Sequence, residues 1–289
     1  MYEGKDKKPQ IFHYHGYGHG CGGYVERHGN IIPIPSVGGA ALSMAGGEAY
    51  TETGPFSWAP PFEPDPPVGF RLSVQRITTH LWTEESDKEW VTNADVTVYG
   101  FNLCERVKIG IMRSRLTSRH PKGIDRTVLP NGGQPRISFD GSYFVNVTID
   151  NQPVVITLDT DLDTCPTHQQ LREVVSGQRP TTHCPRNLCT GANDPQYMQE
   201  LATHYQSKQF TRCSIVGHVG HPTAHGYSVD LTDPAKPDEP AQNLGRVFFG
   251  EMVVGDEMKR LNMIRWNLGC EACGDGTGGG ADLNGTPMP

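Results

Sequence analysis

The sequence lacks both an excess of basic side chains and long hydrophobic runs. It carries 25 Lys and Arg residues against 32 Asp and Glu residues, a net charge of −7, whereas nucleic-acid-binding domains usually present a basic stripe. The segment after Met1 is polar, and no stretch approaches the ~18 apolar residues of a membrane helix. We therefore expect a cytoplasmic protein with no Sec signal, no membrane span and no nucleic-acid partner.

The sequence also lacks the common catalytic motifs. It contains no Gly-x-Ser-x-Gly nucleophile elbow and no Walker-type phosphate loop. The glycine run Gly278-Gly279-Gly280 does not stand between a predicted strand and a predicted helix, as a phosphate-binding loop would require. These observations favour a non-enzymatic protein.

Long helices are scarce because Gly and Pro, at 34 and 23 residues, interrupt them. Apolar residues instead alternate with polar ones, the pattern of half-buried strands. The alternation slips by one residue near Gln75-Arg76, which predicts a β-bulge. The segment Val247–Leu268 is apolar on both faces and predicts a buried hairpin. Another hairpin turns at Asp150, and its first strand should place on one face Tyr143, Val145, Val147 and Ile149.

Two short helices are predicted inside an insertion at about residues 164–210. Thr167 and Gln170 form a capping box before a helix over 166–176, and Asp194-Pro195 opens another over 195–208. The fold class is therefore all-β, an antiparallel β-sandwich or barrel with two inserted helices. We assign it to residues 37–269, between a His- and Gly-rich arm (1–36) and a Gly-rich tail (270–289).

The densest group of potential metal ligands lies in the N-terminal arm, and its members are His13, His15, His19 and Cys21. Imidazole and thiolate ligands suit zinc or copper. The alternative is an arm without metal that becomes ordered on assembly, and we favour it because Gly and Tyr residues are interspersed with the histidines. Without a signal segment, the eight cysteines should not form four disulfides.

Two further groups could hold a metal. The first consists of His218, His221 and His225, where Pro222 prevents a continuous helix. The second is Cys270-x-x-Cys273, which has the spacing of a zinc knuckle. Its partner pair would be Cys184 and Cys189. For both groups, the interpretation without metal is a loop of ordinary polar residues.

Five short strand phrases are spread over residues 36–285, namely Ser36–Ala40, Val98–Leu103, Ser142–Asp150, Phe249–Glu251 and Asn262–Trp266. They resemble a family of bacterial proteins whose function is uncharacterised. The resemblance implies a β-rich cytosolic protein and carries over no activity. The His-rich segment before residue 30 is a departure from that family.

The sequence leaves three hypotheses about function. The leading hypothesis is a structural β-protein that binds or assembles, forming homo-oligomers through its terminal arms, because interfaces favour aromatic residues such as Tyr14 and Tyr17. The second is a metal carrier or metal-dependent enzyme that uses the His and Cys groups. The third is a β-sandwich module that binds a ligand.

Overall fold

A computed structural model describes residues 11–27, 30–60, 70–123, 133–159, 162, 167–175, 210–232, 244–255, 258–268 and 274–288. The elements in these residues are β1 (Ile11–His13), β2 (Gly16–Arg27), β3 (Asn30–Val37), β4 (Ala40–Ala41), β5 (Glu48–Thr53), β6 (Phe56–Trp58), β7 (Leu72–Val74), β8 (Arg76–Glu85), β9 (Glu89–Leu103), β10 (Val107–Pro121), β11 (Arg136–Ser138), β12 (Tyr143–Ile149), β13 (Gln152–Val154), β14 (Ile156–Leu158), α1 (His168–Val175), β15 (Phe210–Ser214), β16 (Val216–Val219), β17 (Ala224–His225), β18 (Ser228–Asp230), β19 (Arg246–Gly255), β20 (Lys259–Asn267), β21 (Gly274–Leu283) and β22 (Thr286–Met288). The chain is therefore mostly β-strand, as its alternating sequence pattern predicts.

Most of these strands belong to two antiparallel sheets, each with nine strands within the described residues. The first runs in the order β13-β12-β10-β9-β7-β6, with β8 also on β9, β5 on β8 and β11 on β10. The second runs β17-β18-β19-β20-β21-β2-β3, with β15 on β19 and β4 on β2. Two small pairs, β1 with β22 and β14 with β16, complete the pairing.

The two sheets pack face to face around one hydrophobic core, as in a β-sandwich. Rings from opposite sheets meet there, with the centroids of Phe101 and Trp266 6.0 Å apart and those of Phe144 and Phe249 5.9 Å apart. Along β9, the alternating side chains of Ala94, Val96 and Val98 point into this core, whereas Trp90 packs in a smaller cluster with Phe12 and Tyr14. Burial of this apolar area is the main contribution to the stability of such a fold.

Several local predictions are confirmed. The hairpin β12–β13 turns at Asp150 and Asn151, which both adopt positive φ angles, as two-residue hairpin loops of type I′ require. The hairpin β19–β20 is buried along almost its whole length. It therefore lies in the interior of the fold, as predicted, although its buried side chains include the charged residues Glu251, Lys259 and Arg265.

Only one of the two predicted helices falls within the described residues. Helix α1 begins after Thr167, whose side-chain oxygen accepts a hydrogen bond from the Gln170 backbone N–H at 3.3 Å, as a capping box requires. The predicted helix over 195–208 and most of the insertion lie outside the described residues. In the part of the chain that the structure covers, no helix combines the length and the apolar character needed to cross a bilayer.

The two Gly-rich ends differ from the predicted extended arms. Strand β2 pairs with β21 along their length, from Gly16 opposite Leu283 to Val25 opposite Gly274. β21 also pairs with β20, so both end segments lie inside the second sheet rather than beside it. The two segments predicted to be terminal arms therefore contribute strands to the second sheet.

Glycine at these positions leaves space for large neighbouring side chains. A Cβ on Gly276 would lie 2.1 Å from Cζ2 of Trp266, and one on Gly20 would lie 2.4 Å from Cδ1 of Ile77. Both distances are far below van der Waals contact. The glycines thus allow the second sheet to accommodate the Trp266 ring and to lie close to the first sheet.

Cys21 lies fully buried at this sheet–sheet contact and forms no disulfide. One reduced cysteine among eight already excludes four disulfides, in agreement with the prediction. Burial raises the pKa of the Cys21 thiol to about 12, and only the thiolate is a strong nucleophile.

We expect Cys21 to stay unmodified when the native protein is treated with iodoacetamide and to react fully once the chain is unfolded. Peptide mass spectrometry of the two digests measures both outcomes. Alkylation of Cys21 at equal rates in the native and unfolded protein would contradict its place in the core.

Candidate functional site: a groove across the first sheet

In four neighbouring parts of the first sheet (β7 with β8, β9, β10 and β12), the alternation of core-facing and outward-facing side chains shifts by one residue at the same level. We call each of these shifts a phase change. In each, two core-facing residues are separated by three positions instead of an even number, so that two consecutive residues between them face outward. The core-facing pairs are Val74 and Ile77, Val98 and Phe101, Ile109 and Met112, and Phe144 and Val147. The slip of alternation predicted near Gln75-Arg76 is thus the first of four aligned irregularities, but it is not the predicted β-bulge, because the register on β9 is the same before and after it.

The phase change also corrects one face prediction. Val147 and Ile149 point into the core, whereas Tyr143 and Val145 are 36% and 38% exposed. The cause is Asn146, which adopts a left-handed conformation with φ of 54° and therefore reverses the alternation within β12. Asn tolerates this conformation better than most residues with a Cβ.

Two of the outward-facing residues in this row of phase changes, Gly100 and Gly110, have no side chain and form a floor. Gly100 has φ of 62°, and a Cβ there would lie 2.4 Å from the Gln75 side chain. A Cβ on Gly110 would lie 3.0 Å from that of Asn146. The side chains of Gln75 and Asn146 therefore rise on either side of two positions that have no side chain.

The result is a groove of about 680 Å³ on the outer face of the first sheet, a volume within the usual range of ligand pockets. Phe56 of the edge strand β6 contributes an aromatic side chain to the lining. The polar side chains of the groove are mostly amides and hydroxyls, from Gln75, Asn102, Asn146, Ser57, Ser73 and Thr148. Such groups both donate and accept hydrogen bonds and keep their protons at neutral pH.

One charged side chain, Lys108, also lines the groove. Its Nζ lies 3.0 Å from a carboxylate oxygen of Glu105, and the Asn102 amide donates a hydrogen bond of 2.5 Å to the same carboxylate. Hydrogen bonds from Lys108 and Asn102 lower the pKa of Glu105, so this carboxylate stays ionised at neutral pH. The groove therefore presents no net charge from this pair.

Beyond the groove, the outer face continues over β5 and β8 with a row of rings that we call the aromatic row (Tyr50, His80 and Trp82). The rings of His80 and Trp82 stack with their centroids 4.6 Å apart, and the Tyr50 ring meets His80 edge-on at 6.1 Å. Tyr50 is 58% exposed. The row gives the polar face an accessible apolar surface.

The histidines of the predicted N-terminal metal site do not meet at one point. His13 lines a separate cleft of about 530 Å³ beside Phe12 and Trp90, His15 is exposed, and Cys21 lies in the core. His19 lies beside Thr277, with its Nε2 2.8 Å from the hydroxyl oxygen. Burial, together with the charge of Arg260, lowers the pKa of His19 to about 4.

The second predicted group is likewise dispersed. His218 and His225 are exposed on different strands, and His221 forms a local hydrogen bond of 3.1 Å with Thr223. Throughout the described ranges, no three His, Cys, Asp or Glu side chains form a group that could hold a metal ion. The pair Cys270 and Cys273, with Cys184 and Cys189, lies outside the described residues, so zinc at that pair stays a prediction.

Sequence reasoning missed the groove because its residue types are those of ordinary surface strands. One signal was available, the pair of consecutive polar residues Gln75-Arg76 between two apolar alternations. The corresponding shifts at Gly100 and Gly110 leave no such signal. Glycine has no side chain, so the pattern of polar and apolar residues does not show the shift. The signal at Asn146 is masked by Val145, which is apolar yet faces outward.

A comparison with known protein families gives one match. Residues 12–255 fit a family described as "Domain of unknown function (DUF8256)", and this range contains every groove residue and most of the His-rich segment that seemed to depart from the family. The comparisons with curated proteins and with solved structures gave no match. Because the match covers most of the chain, the prediction of an uncharacterised family is confirmed and the chain belongs to the DUF8256 family.

Proposed function

We propose that this protein is a non-enzymatic binding protein and that its ligand site is the groove across the first sheet. The observation that carries the proposal is the alignment of four phase changes in one row, with Asn146 held in a left-handed conformation. Sparsely populated backbone conformations such as that of Asn146 concentrate at functional sites. The four aligned phase changes form a depression that regular strands would not form.

Binding rather than catalysis follows from the chemistry of the lining. Amide and hydroxyl groups orient a ligand through hydrogen bonds, but they do not transfer protons at neutral pH without an activating base. Lys108, the charged side chain of the lining, is engaged by Glu105 at 3.0 Å. The site is therefore equipped for recognition.

The structure also changes the argument for assembly. That hypothesis rested on Gly-rich ends that would need a partner to become ordered. The pairing of β2 with β21 within one chain accounts for their order without a second subunit. We therefore base the proposed function on the groove and leave self-association as a separate proposal, which light scattering of the full chain tests.

A matched pair of substitutions tests the groove. Thr148→Trp fills it from β12, whereas the control Thr157→Trp places the same side chain at an exposed position of β14, outside the groove lining. Three chemically distinct probes are added in turn to the full chain, namely methyl glucoside, a capped diglycine and inorganic phosphate. The measurement is the shift of the backbone amide signals of Gly100 and Gly110 by nuclear magnetic resonance.

We expect at least one probe to shift both glycine signals in the wild-type protein and in Thr157→Trp, but not in Thr148→Trp. Asn146→Gly provides a second variant, because glycine adopts the same φ without strain while the amide is lost. Shifts that persist in Thr148→Trp, or no shift with any probe, would contradict the proposed site.

A further inference from the structure

Resting on the proposed function, we propose that the ligand of the groove is a neutral oligosaccharide that continues from the groove over the aromatic row. The chemical groups of the groove, the charge balance of the outer face and the spacing of its rings each support this assignment.

The first argument is hydrogen bonding. Each sugar hydroxyl donates one hydrogen bond and accepts others, and a primary amide likewise offers two N–H donors and a carbonyl acceptor. Gln75 and Asn146 are exposed amides that flank the glycine floor. They can therefore bind neighbouring hydroxyls of one sugar ring, and the apolar floor fits the C–H groups of that ring.

The second argument is charge. On the outer face beyond the groove, Arg76 lies 3.9 Å from Glu52 and His80 lies 2.7 Å from Glu48. The Arg113 guanidinium forms a two-point ion pair with Asp95. Beside Trp82, the Glu84 carboxylate accepts hydrogen bonds from the side chains of Trp82 and Asn93. The outer face thus carries several carboxylates near the aromatic row, and these disfavour a polyanion. A neutral occupant fits it best.

The third argument is the length of the outer face from the groove to the aromatic row. Along β8, the step from Arg76 beside the groove to Trp82 in the aromatic row covers six residues, about 20 Å at roughly 3.3 Å per residue. This length accommodates several sugar units. Tyr50 and Trp82 provide the amphipathic ring surfaces against which the apolar side of a pyranose packs.

The experiment compares neutral and charged hexasaccharides of similar size. Cellohexaose, mannohexaose and chitohexaose are titrated into the full chain by calorimetry, together with cellobiose, mannobiose and chitobiose and with hexagalacturonic acid as the charged control. We expect at least one neutral hexasaccharide to bind and its disaccharide to bind at least tenfold more weakly, since the shorter ligand does not reach the aromatic row. Hexagalacturonic acid should bind more weakly than the neutral ligand.

Two variants locate the sites within the face. Asn146→Gly should weaken the hexasaccharide and the disaccharide alike, by at least tenfold. Trp82→Ala should weaken only the hexasaccharide, because Trp82 lies outside the groove. Circular dichroism confirms that each variant is folded, and Thr157→Trp should bind like the wild type.

The outcomes separate the two proposals. If no neutral hexasaccharide binds, or if hexagalacturonic acid binds as tightly, the oligosaccharide assignment is overturned. In that case the proposed groove still stands if a probe shifts Gly100 and Gly110 in a manner that Thr148→Trp abolishes. If Thr148→Trp affects no probe and no saccharide, both proposals fail.

Discussion

Replacing Glu251 with glutamine should lower the free energy of unfolding by about 3–5 kcal/mol, the usual effect of removing one partner from a buried ion pair. Glu251 is fully buried, and one of its carboxylate oxygens accepts hydrogen bonds from Nε of Arg212 and Nε of Arg265, each at 3.1 Å. Both guanidinium groups are themselves at least 95% buried. Without the carboxylate charge, two buried cations would face each other across an amide.

The surroundings of this ion cluster make compensation difficult. The Arg265 guanidinium lies 3.9 Å from the centroid of the Phe248 ring, which stabilises the cation but does not neutralise it. A second carboxylate, that of Asp275, lies 3.8 Å from Arg265 and is partly exposed. Glu251 itself is fully buried, so water has little access to that side of the cluster.

Urea unfolding of wild type and Glu251→Gln measures the effect, and Glu85→Gln is the control. Glu85 pairs with Lys122 at 2.5 Å, but its side chain is 60% exposed, so the same chemical change should lower stability by only about 0–1 kcal/mol. Equal effects of the two substitutions would show that burial does not govern the strength of the Glu251 interaction.

The difference between wild type and Glu251→Gln should also depend on pH. Burial by itself would raise the pKa of Glu251, but the Arg265 and Arg212 guanidinium groups outweigh burial and lower it. A carboxylate whose pKa is lower in the folded state stabilises the protein above its unfolded pKa, roughly 4.3, and loses that contribution as pH falls through its folded pKa. The stability gap should therefore be constant near neutral pH and narrow in acid.

Trp266→Ala is the second substitution expected to be severe, with a loss of about 3–5 kcal/mol typical of an emptied tryptophan site. Trp266 is fully buried between the sheets, and its ring lies 6.0 Å from that of Phe101. The space for the indole exists because position 276 is glycine. With alanine at position 266, a cavity would remain next to Gly276 and Phe101.

Trp266→Phe is the matched control. It keeps an aromatic ring in the space over Gly276 and removes the buried indole Nε1, which has no hydrogen-bond partner among the described residues. We expect a loss clearly smaller than that of Trp266→Ala. Equal losses for both variants, or an unchanged unfolding midpoint for Trp266→Ala, would contradict the tight packing of the indole.

The sequence predicted the parts of the fold in which side chains carry the pattern. The alternation from Trp90 to Val98 identified the core face of β9, and the two-sided apolar segment after Val247 identified a buried hairpin. The capping box at Thr167 located the start of α1. In each case, polarity or a specific side-chain hydrogen bond is visible in the sequence itself.

Strand β21 shows why the rest was not predictable. Its glycines have no side chains and therefore produce no alternation, and the segment looks too poor in apolar groups to be ordered. Its order instead depends on neighbours, since β2 and β20 pair with it on both edges and Trp266 occupies the space above Gly276. The groove could not be predicted for a related reason. It depends on the left-handed backbone conformation of Asn146, which the pattern of residue types does not show.

The pairing of β2 with β21 has a consequence for biosynthesis. A ribosome delivers residues 16–27 long before residues 274–283, yet these two strands are neighbours in the finished sheet. Until β21 emerges, β2 and β20 each keep an open edge of backbone hydrogen-bonding groups, which is the kind of surface that joins other chains. Nascent chains of this protein should therefore need protection from aggregation until β21 has been synthesised, and a chain that terminates before Gly274 would leave the second sheet in two separate halves.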